Sequence, residues 1–176
     1  MRLQRYDAVS PTKLQRNAFD CGEPSLDRWL AQQARQSMES RDAVTYLLLD
    51  EDADGGGGDA RIAGYYALAA GQVLREVAPL EMAERAPEPI PAVRMGRFAI
   101  DRAYQGQGIG ADLLREALLG AVTAGKLIGA RVMLVDAISD GAVNFYMRFG
   151  FKQSPIHPLQ LMYDLRIVAA SAGTDP

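Results

Sequence analysis

The sequence predicts an α/β fold of the α+β kind, a central mixed β-sheet flanked by helices. Three observations predict it. Strand-like apolar runs alternate with stretches of helical periodicity along the chain. One run, "RVMLVDAI" (131–138), is apolar almost throughout, as in a strand covered on both faces. Two others, "AVTYLLLD" (43–50) and "ARIAGYYALAAGQV" (60–73), flank a polar, glycine-rich turn at 51–58 and read as a hairpin.

The elements follow in order. Residues 3–9, "LQRYDAV", alternate loosely and read as a first strand. In 19–40, Leu26, Trp29, Leu30, Ala34 and Met38 recur at helical spacing, and Pro24 and Ser25 suit the helix start. The hairpin comes next. Gly55 to Gly58 superficially suggest a phosphate loop, but no Lys-Ser/Thr helix follows, so they read as a flexible tip. Pro79, Pro87, Pro89 and Pro91 punctuate a loop with room for a short helix at 77–85. A central strand is expected at 92–100 and a long helix at 108–130, with Leu113, Leu114, Ala117, Leu118, Ala121 and Val122 on its buried side. After the strand at 131–138, Ser139 or Asp140 caps a helix that Gly150 ends. "QLMYDLRI" (160–167) is a last strand, and 168–176 a frayed tail.

The 176 residues fit a single domain, 1–176. No apolar run approaches the roughly 18 residues of a membrane span, and the first residues lack the apolar core of a secretory signal. One cysteine, Cys21, excludes an intrachain disulfide and suits a reducing cytoplasm. With one histidine, His157, it cannot build a Cys/His zinc site, and no metal is expected. The net charge of −3 gives no general pull toward nucleic acid. Yet Asp50, Glu51, Asp52, Asp54 and Asp59 supply five acids in ten residues, so without them −3 becomes +2. Residues 1–41 hold seven bases against five acids. An acidic hairpin tip over a mildly basic body and a solvated surface of mixed sign are equally consistent with this.

The most informative stretch is "RFAIDRAYQGQGIGADLLREAL" (97–118), in which Gln105-Gly106-Gln107-Gly108-Ile109-Gly110 joins a strand to a helix. A dinucleotide fingerprint has different glycine spacing and a shorter link from the strand. Simple helix–strand packing explains one glycine but not three, since each costs backbone entropy. The remaining reading is an anion cradle: a helix start offers unpaired N–H groups and a positive dipole end. Without side chains at 106, 108 and 110, a pyrophosphate can lie against the backbone, and Gln105 and Gln107 can add amide donors.

Gln105-x-x-Gly108-x-Gly110 resembles the acetyl-CoA motif of the GNAT N-acetyltransferases. The resemblance implies the GNAT fold, acetyl-CoA as cosubstrate, and its pyrophosphate on residues Gln105, Gly106, Gln107, Gly108, Ile109, Gly110 and Ala111. The preceding strand, Phe98, Ala99 and Ile100, would bond the pantetheine arm and acetyl carbonyl through its backbone. "AVNFYMRFGF" (142–151) is similar to the family's later helix, although its Asn144 adjoins the aromatic pair directly. It implies Tyr146 as a cosubstrate contact at the sulfur and the general acid for the leaving thiolate, and Asn144 as a further cosubstrate contact. Taken alone, Tyr146 reads as a half-buried core aromatic; Phe145, Phe149 and Phe151 read as core.

"FDCGEPSLDRWL" (19–30) further resembles one branch, the acetyltransferase toxins of type II toxin–antitoxin systems, and the likeness covers about 5–166. The branch implies acetylation of the α-amine of aminoacyl-tRNA, arrest of translation, a ribbon-helix-helix antitoxin and a homodimer. A tRNA substrate requires basic surface. Arg97 and Arg94 on the central strand are the candidate acceptor-side residues; Arg28, Arg35 and Arg41 recur along the first helix and read equally as a solvated face. Cys21 reads as packing and His157 as a loop residue. Other readings are an acetyltransferase for a small amine or a protein N-terminus, and a non-catalytic acetyl-CoA-binding regulatory module.

Overall fold

Seven strands and five helices were found in a computed structural model, which describes residues 1–10, 14–53 and 59–167. The glycine tip at 55–58, Asp54, Lys13 and the tail at 168–176 lie outside the described residues. The strands are β1 (Arg2–Arg5), β2 (Val44–Asp50), β3 (Arg61–Val73), β4 (Ile90–Ile100), β5 (Val132–Asp136), β6 (Lys152–Gln153) and β7 (Gln160–Asp164). The helices are α1 (Pro24–Gln32), α2 (Ala34–Glu39), α3 (Leu80–Ala83), α4 (Ile109–Ile128) and α5 (Asp140–Arg148). The sheet order is β1-β2-β3-β4-β5-β7-β6. Its β4–β5 pair is parallel, and β1–β2, β2–β3, β5–β7 and β6–β7 are antiparallel, so the sheet is mixed as expected.

The chain divides into two compact units. The first comprises Met1–Ala69 and Arg97–Glu116. Its core is aromatic and aliphatic, with Phe19, Trp29, Leu30, Leu47, Leu49, Ile62 and Tyr65 buried together. Strand β2 alternates buried and half-buried residues, as expected for a hairpin arm with one face on the core. The second unit comprises Ala70–Gly96 and Ala117–Pro176. Val73, Met82, Ile90, Ala92, Val132, Leu134 and Met162 form a core there. The four apolar residues of β5 from Val132 to Val135 are all buried, matching its continuous apolar run.

Several elements differ from expectation, α3 among them, which spans Leu80–Ala83 rather than 77–85. The first strand stops at Arg5, because Tyr6 turns inward in a short 3-10 turn, where Arg16 Nη1 donates to its hydroxyl at 2.9 Å. The first helix is two helices, broken at Gln33 (φ −116, ψ −27). A one-residue break leaves the apolar faces in phase, so periodicity did not reveal it; Arg28, Arg35 and Arg41 therefore do not line one helix. Strand β6 is two exposed polar residues with no alternation to detect. The last strand ends at Asp164, where Arg166 folds back onto the carboxylate at 2.6 Å.

Candidate active site

The glycine turn is assembled from the end of β4 onward. Phe98 is half-buried, while Ala99 and Ile100 are buried. Asp101 ends the strand and caps a 3-10 turn at Arg102–Tyr104, its Oδ1 accepting from Ala103 N at 2.9 Å. The chain then enters Gln105–Gly110. Gly106 (φ +74) and Gly108 (φ +82) are left-handed, a conformation L side chains resist. A Cβ at either position would meet nothing within 4 Å, so the turn faces open space rather than a packed wall. Gly108 starts α4: its carbonyl accepts from Ala111 N at 3.0 Å and Asp112 N at 3.3 Å. The amides of Ile109 and Gly110, in the first turn of α4, have no intrahelical acceptor. Together with the helix dipole they form an anion-binding end.

Gln105 and Gln107 behave differently from the donors expected of them. Gln105 Nε2 donates to the carbonyls of Ile100 (2.8 Å) and Cys21 (2.9 Å), and Gln107 Nε2 donates to Ala103 O (2.8 Å). These amides hold the turn's own shape, and the anion donors are left to the backbone. Sequence reasoning missed the residues that surround the turn, notably Asp101, Arg61, Asp20 and Tyr104. The available signal was the Asp-x-Ala spacing at 101–103, an acid placed to accept from an amide two residues on.

Arg97 also lies in the first unit. Its guanidinium stands 5.3 Å from the centroid of the Trp29 ring. Trp29 in turn stacks on Tyr65 (5.8 Å, 11°), and Tyr65 is anchored by its hydroxyl donating to Leu26 O at 2.8 Å. Cys21 is half-buried, and burial, helped by Asp27, pushes its thiol up to about 12. Such a thiol is not a nucleophile at neutral pH.

Tyr146, Asn144 and Arg94 belong to the second unit. Helix α5 starts at Ser139, whose hydroxyl accepts from Ala142 N at 3.2 Å, and ends at left-handed Gly150. This places Val143 and Tyr146 on the buried face and leaves Asn144 exposed. Tyr146 is 7% exposed and packs against Phe145 and Phe151, each at 5.3 Å between ring centroids. Burial pushes its hydroxyl well above the ordinary tyrosine range, so it keeps its proton at physiological pH. A buried phenol that stays protonated can give a proton but not take one. Arg94 is engaged rather than bare: its Nη2 donates to Asp136 Oδ2 at 2.7 Å, and Gln160 Nε2 holds the other oxygen at 2.9 Å. His157 is exposed, its backbone N–H on Ser154 Oγ. Among the described residues no three His, Cys, Asp or Glu side chains are grouped to hold a metal ion. Among the described residues no helix is long and apolar enough to cross a membrane.

Residues 45–153 match a family model described as an acetyltransferase (GNAT) domain. The tRNA-acetylating toxin of Mycobacterium tuberculosis (strain ATCC 25618 / H37Rv) is 36% identical over 156 residues, covering 89% of each chain. A crystal structure of KacT carrying a tyrosine-to-phenylalanine change superposes with a TM-score of 0.85 at 25% identity, covering 97% of this chain and 99% of that one. AtaT complexed with acetyl-methionyl-tRNAfMet gives 0.84 at 24% identity over 97% and 98% of the two chains. An AtaT variant bound to the C-terminus of the antitoxin AtaR and acetyl-CoA gives 0.78 at 24%, over 98% of both.

Proposed function

The chain belongs to the GNAT acetyltransferases, and from that premise we propose that it moves the acetyl group of acetyl-CoA onto the α-amine of an aminoacyl-tRNA, arresting translation as a type II toxin. The observation that carries the donor half is the turn at Gly106 and Gly108, left-handed, open and placed at the start of a 20-residue helix. The acceptor half rests on likeness to a tRNA-acetylating toxin across most of both chains.

In this reading, the backbone amides of residues 106–110 hold the pyrophosphate, with Ala111 completing the turn through its own bond to Gly108, and the backbone of Phe98, Ala99 and Ile100 lines the pantetheine arm and acetyl carbonyl. The bound cosubstrate supplies a thioester whose C–S bond breaks as the amine nitrogen forms the new amide bond. Tyr146 gives its hydroxyl proton to the departing sulfur, and the proton that the amine nitrogen sheds as the amide forms passes to solvent, from which Tyr146 is reprotonated. A tyrosine already holds its proton near neutral pH; burial, which pushes the hydroxyl higher still, makes release costlier, so the transfer depends on the charge developing on the sulfur. An amine α to an ester is less basic than an alkyl amine, so a large neutral fraction exists near pH 7 and no strong base is required. Orientation then supplies much of the rate. Asn144, exposed on α5, contributes a polar contact to the cosubstrate. Arg97 receives the acceptor's phosphate or ribose end. At Arg94 a phosphate has to compete with Asp136, already at 2.7 Å.

A ribbon-helix-helix antitoxin, a homodimer and a cytoplasmic site of action complete the proposal. The decisive test is transfer of labelled acetyl from acetyl-CoA to total charged tRNA, beside the same pool stripped of its amino acids. Label on the charged pool alone is the expected outcome. Calorimetric binding of acetyl-CoA with no label on either pool would refute the tRNA reading.

A further inference from the structure

The glycine turn is backed by a polar cluster around one buried carboxylate, which the proposed chemistry does not use. Asp101, 2% exposed, lies where β4 gives way to the turn. Its Oδ1 accepts from Ala103 N at 2.9 Å and Arg61 Nη2 at 3.2 Å, and its Oδ2 accepts from Asp20 N at 3.1 Å. Asp20 answers through its carbonyl, which accepts from Arg102 N at 2.8 Å, and its carboxylate, which accepts from Arg102 Nη1 at 3.0 Å. The next residue, Cys21, offers its carbonyl to Gln105. Arg61 stands 5.5 Å over the ring of Tyr104, whose hydroxyl donates to Asp50 at 2.8 Å. Asp50 and Arg61 are register partners at the base of the β2–β3 hairpin. Three segments distant in sequence therefore converge on residues 101–105.

This arrangement needs a reason. A buried carboxylate is costly unless paired, and a well-packed apolar residue often serves stability better. It is also a negative charge just behind an anion cradle, offset by Arg61. What it supplies is constraint. Glycine is the most freely rotating residue, so a turn with three of them at alternate positions loses much entropy when it closes on a ligand. Tying down the entry to the turn removes that loss in advance, which is how preorganisation raises affinity.

We infer that Asp101 is a positioning residue for the acyl donor: with Arg61 as counter-charge, it fixes Ala103 and the Gln105 tether so that the amides of 106–110 stand ready for a pyrophosphate. This rests on the reading of the turn as the pyrophosphate cradle. It goes beyond it by assigning the donor affinity partly to residues that touch no ligand.

The test compares the full-length parent with Asp101→Asn and with the double variant Asp101→Asn/Arg61→Gln, which leaves no buried charge unpaired and so guards against misfolding of the single variant. CoA binding is measured by calorimetry, and KM for acetyl-CoA and for charged tRNA separately, all well below each melting temperature. Both variants are expected to bind CoA about tenfold more weakly, the scale of one or two lost hydrogen bonds near a charge. KM for acetyl-CoA should rise to match, with KM for charged tRNA within twofold of the parent. A lowered melting temperature with CoA affinity within twofold in both variants would make the cluster purely structural and overturn the inference. Equal increases in both KM values would do the same. Gly108→Asp, run in parallel, separates the two levels. If it leaves CoA affinity intact, the cradle reading itself fails. If it alone weakens CoA, only the positioning role fails.

Discussion

The turn at 105–110 and the helix around Tyr146 solve opposite problems. The turn is exposed, built from backbone, and kept in shape by polar side chains: Asp101, Gln105 and Gln107 all bond main-chain groups. The Tyr146 region is aromatic, with Tyr146 and Phe151 buried and half-buried Phe145, Phe149 and Tyr163 continuing the chain of ring contacts. The first presents many weak donors to a ligand's charge. The second isolates one proton and raises the cost of losing it. The difference teaches that recognition here depends on conformation, whereas the proposed chemistry depends on environment, and the two should break under different substitutions.

The largest expected effect is on chemistry. Tyr146→Phe keeps the ring and its packing but removes the proton, so kcat should fall by roughly 10²–10⁴. Acetyl-CoA affinity should stay unchanged, and the melting temperature should drop by no more than a few degrees. Single-turnover acetyl transfer beside calorimetry checks this. Undiminished transfer would reduce Tyr146 to a core aromatic and erase the contrast.

The next is on recognition. Gly108→Asp places a side chain and a negative charge in the open space before α4, at a left-handed position that costs roughly 1–2 kcal/mol for an L residue. Nothing packed is displaced, so the fold should survive, while acetyl-CoA affinity falls about 100-fold. A variant that binds normally but turns over slowly would put the turn on the chemical side of the comparison.

The reach of the sequence divides along the same line. The turn was legible because three glycines before a helical pattern are a backbone signature, and a backbone signature is written in residue type. The β5 run was legible because burial of four successive residues needs an unbroken apolar string. The Asp101 cluster was not, because its partners lie up to 81 residues away and no local pattern announces which distant amide an acid will meet. The carbonyl partners of the Gln105 and Gln107 amides were not legible for a related reason: the sequence shows a donor near a cradle but not the carbonyls that engage it. The Gln33 break was invisible because the hydrophobic phase continues through it. Arg97 was singled out from the strand, but its Trp29 platform needed the fold.

That platform gives a smaller prediction. A guanidinium over an aromatic ring gains about 0.5–1 kcal/mol where the cation keeps access to solvent, as half-buried Arg97 does over the buried Trp29. Trp29→Leu should therefore raise KM for charged tRNA by roughly two- to fivefold, with KM for acetyl-CoA unchanged. Arg97→Lys should do at least as much, since an ammonium keeps the charge but loses the planar stack and fork. Matching increases in both KM values for Trp29→Leu would indicate a general loosening of the first unit's core instead.

The smallest effect at neutral pH becomes visible only in alkali. Burial raises the pKa of Tyr65, Tyr66 and Tyr146 in the folded chain. Tyr104 is raised to about 12, by burial first and then by the Asp50 carboxylate it bonds. In the unfolded chain each returns to about 10. Below that value both states are protonated and the folded state is fully favoured. Above it the unfolded state loses protons that the folded state retains, so stability falls as pH rises, by up to about 1.4 kcal/mol per unit for each such tyrosine. The melting temperature should thus be flat between about pH 7 and 8, begin to fall above about 8.5 as the Cys21 thiol, held up at about 12 when folded, ionises in the unfolded chain, and decline more steeply above about 10. Tyr146→Phe should make that decline shallower without altering the plateau's flatness. Tyr104→Phe should shallow it as well, but it also removes the bond to Asp50 and so lowers the plateau itself. Beside the turn, then, the lost hydrogen bond to Asp50 registers at every pH, whereas the raised pKa of either tyrosine shows only in alkali.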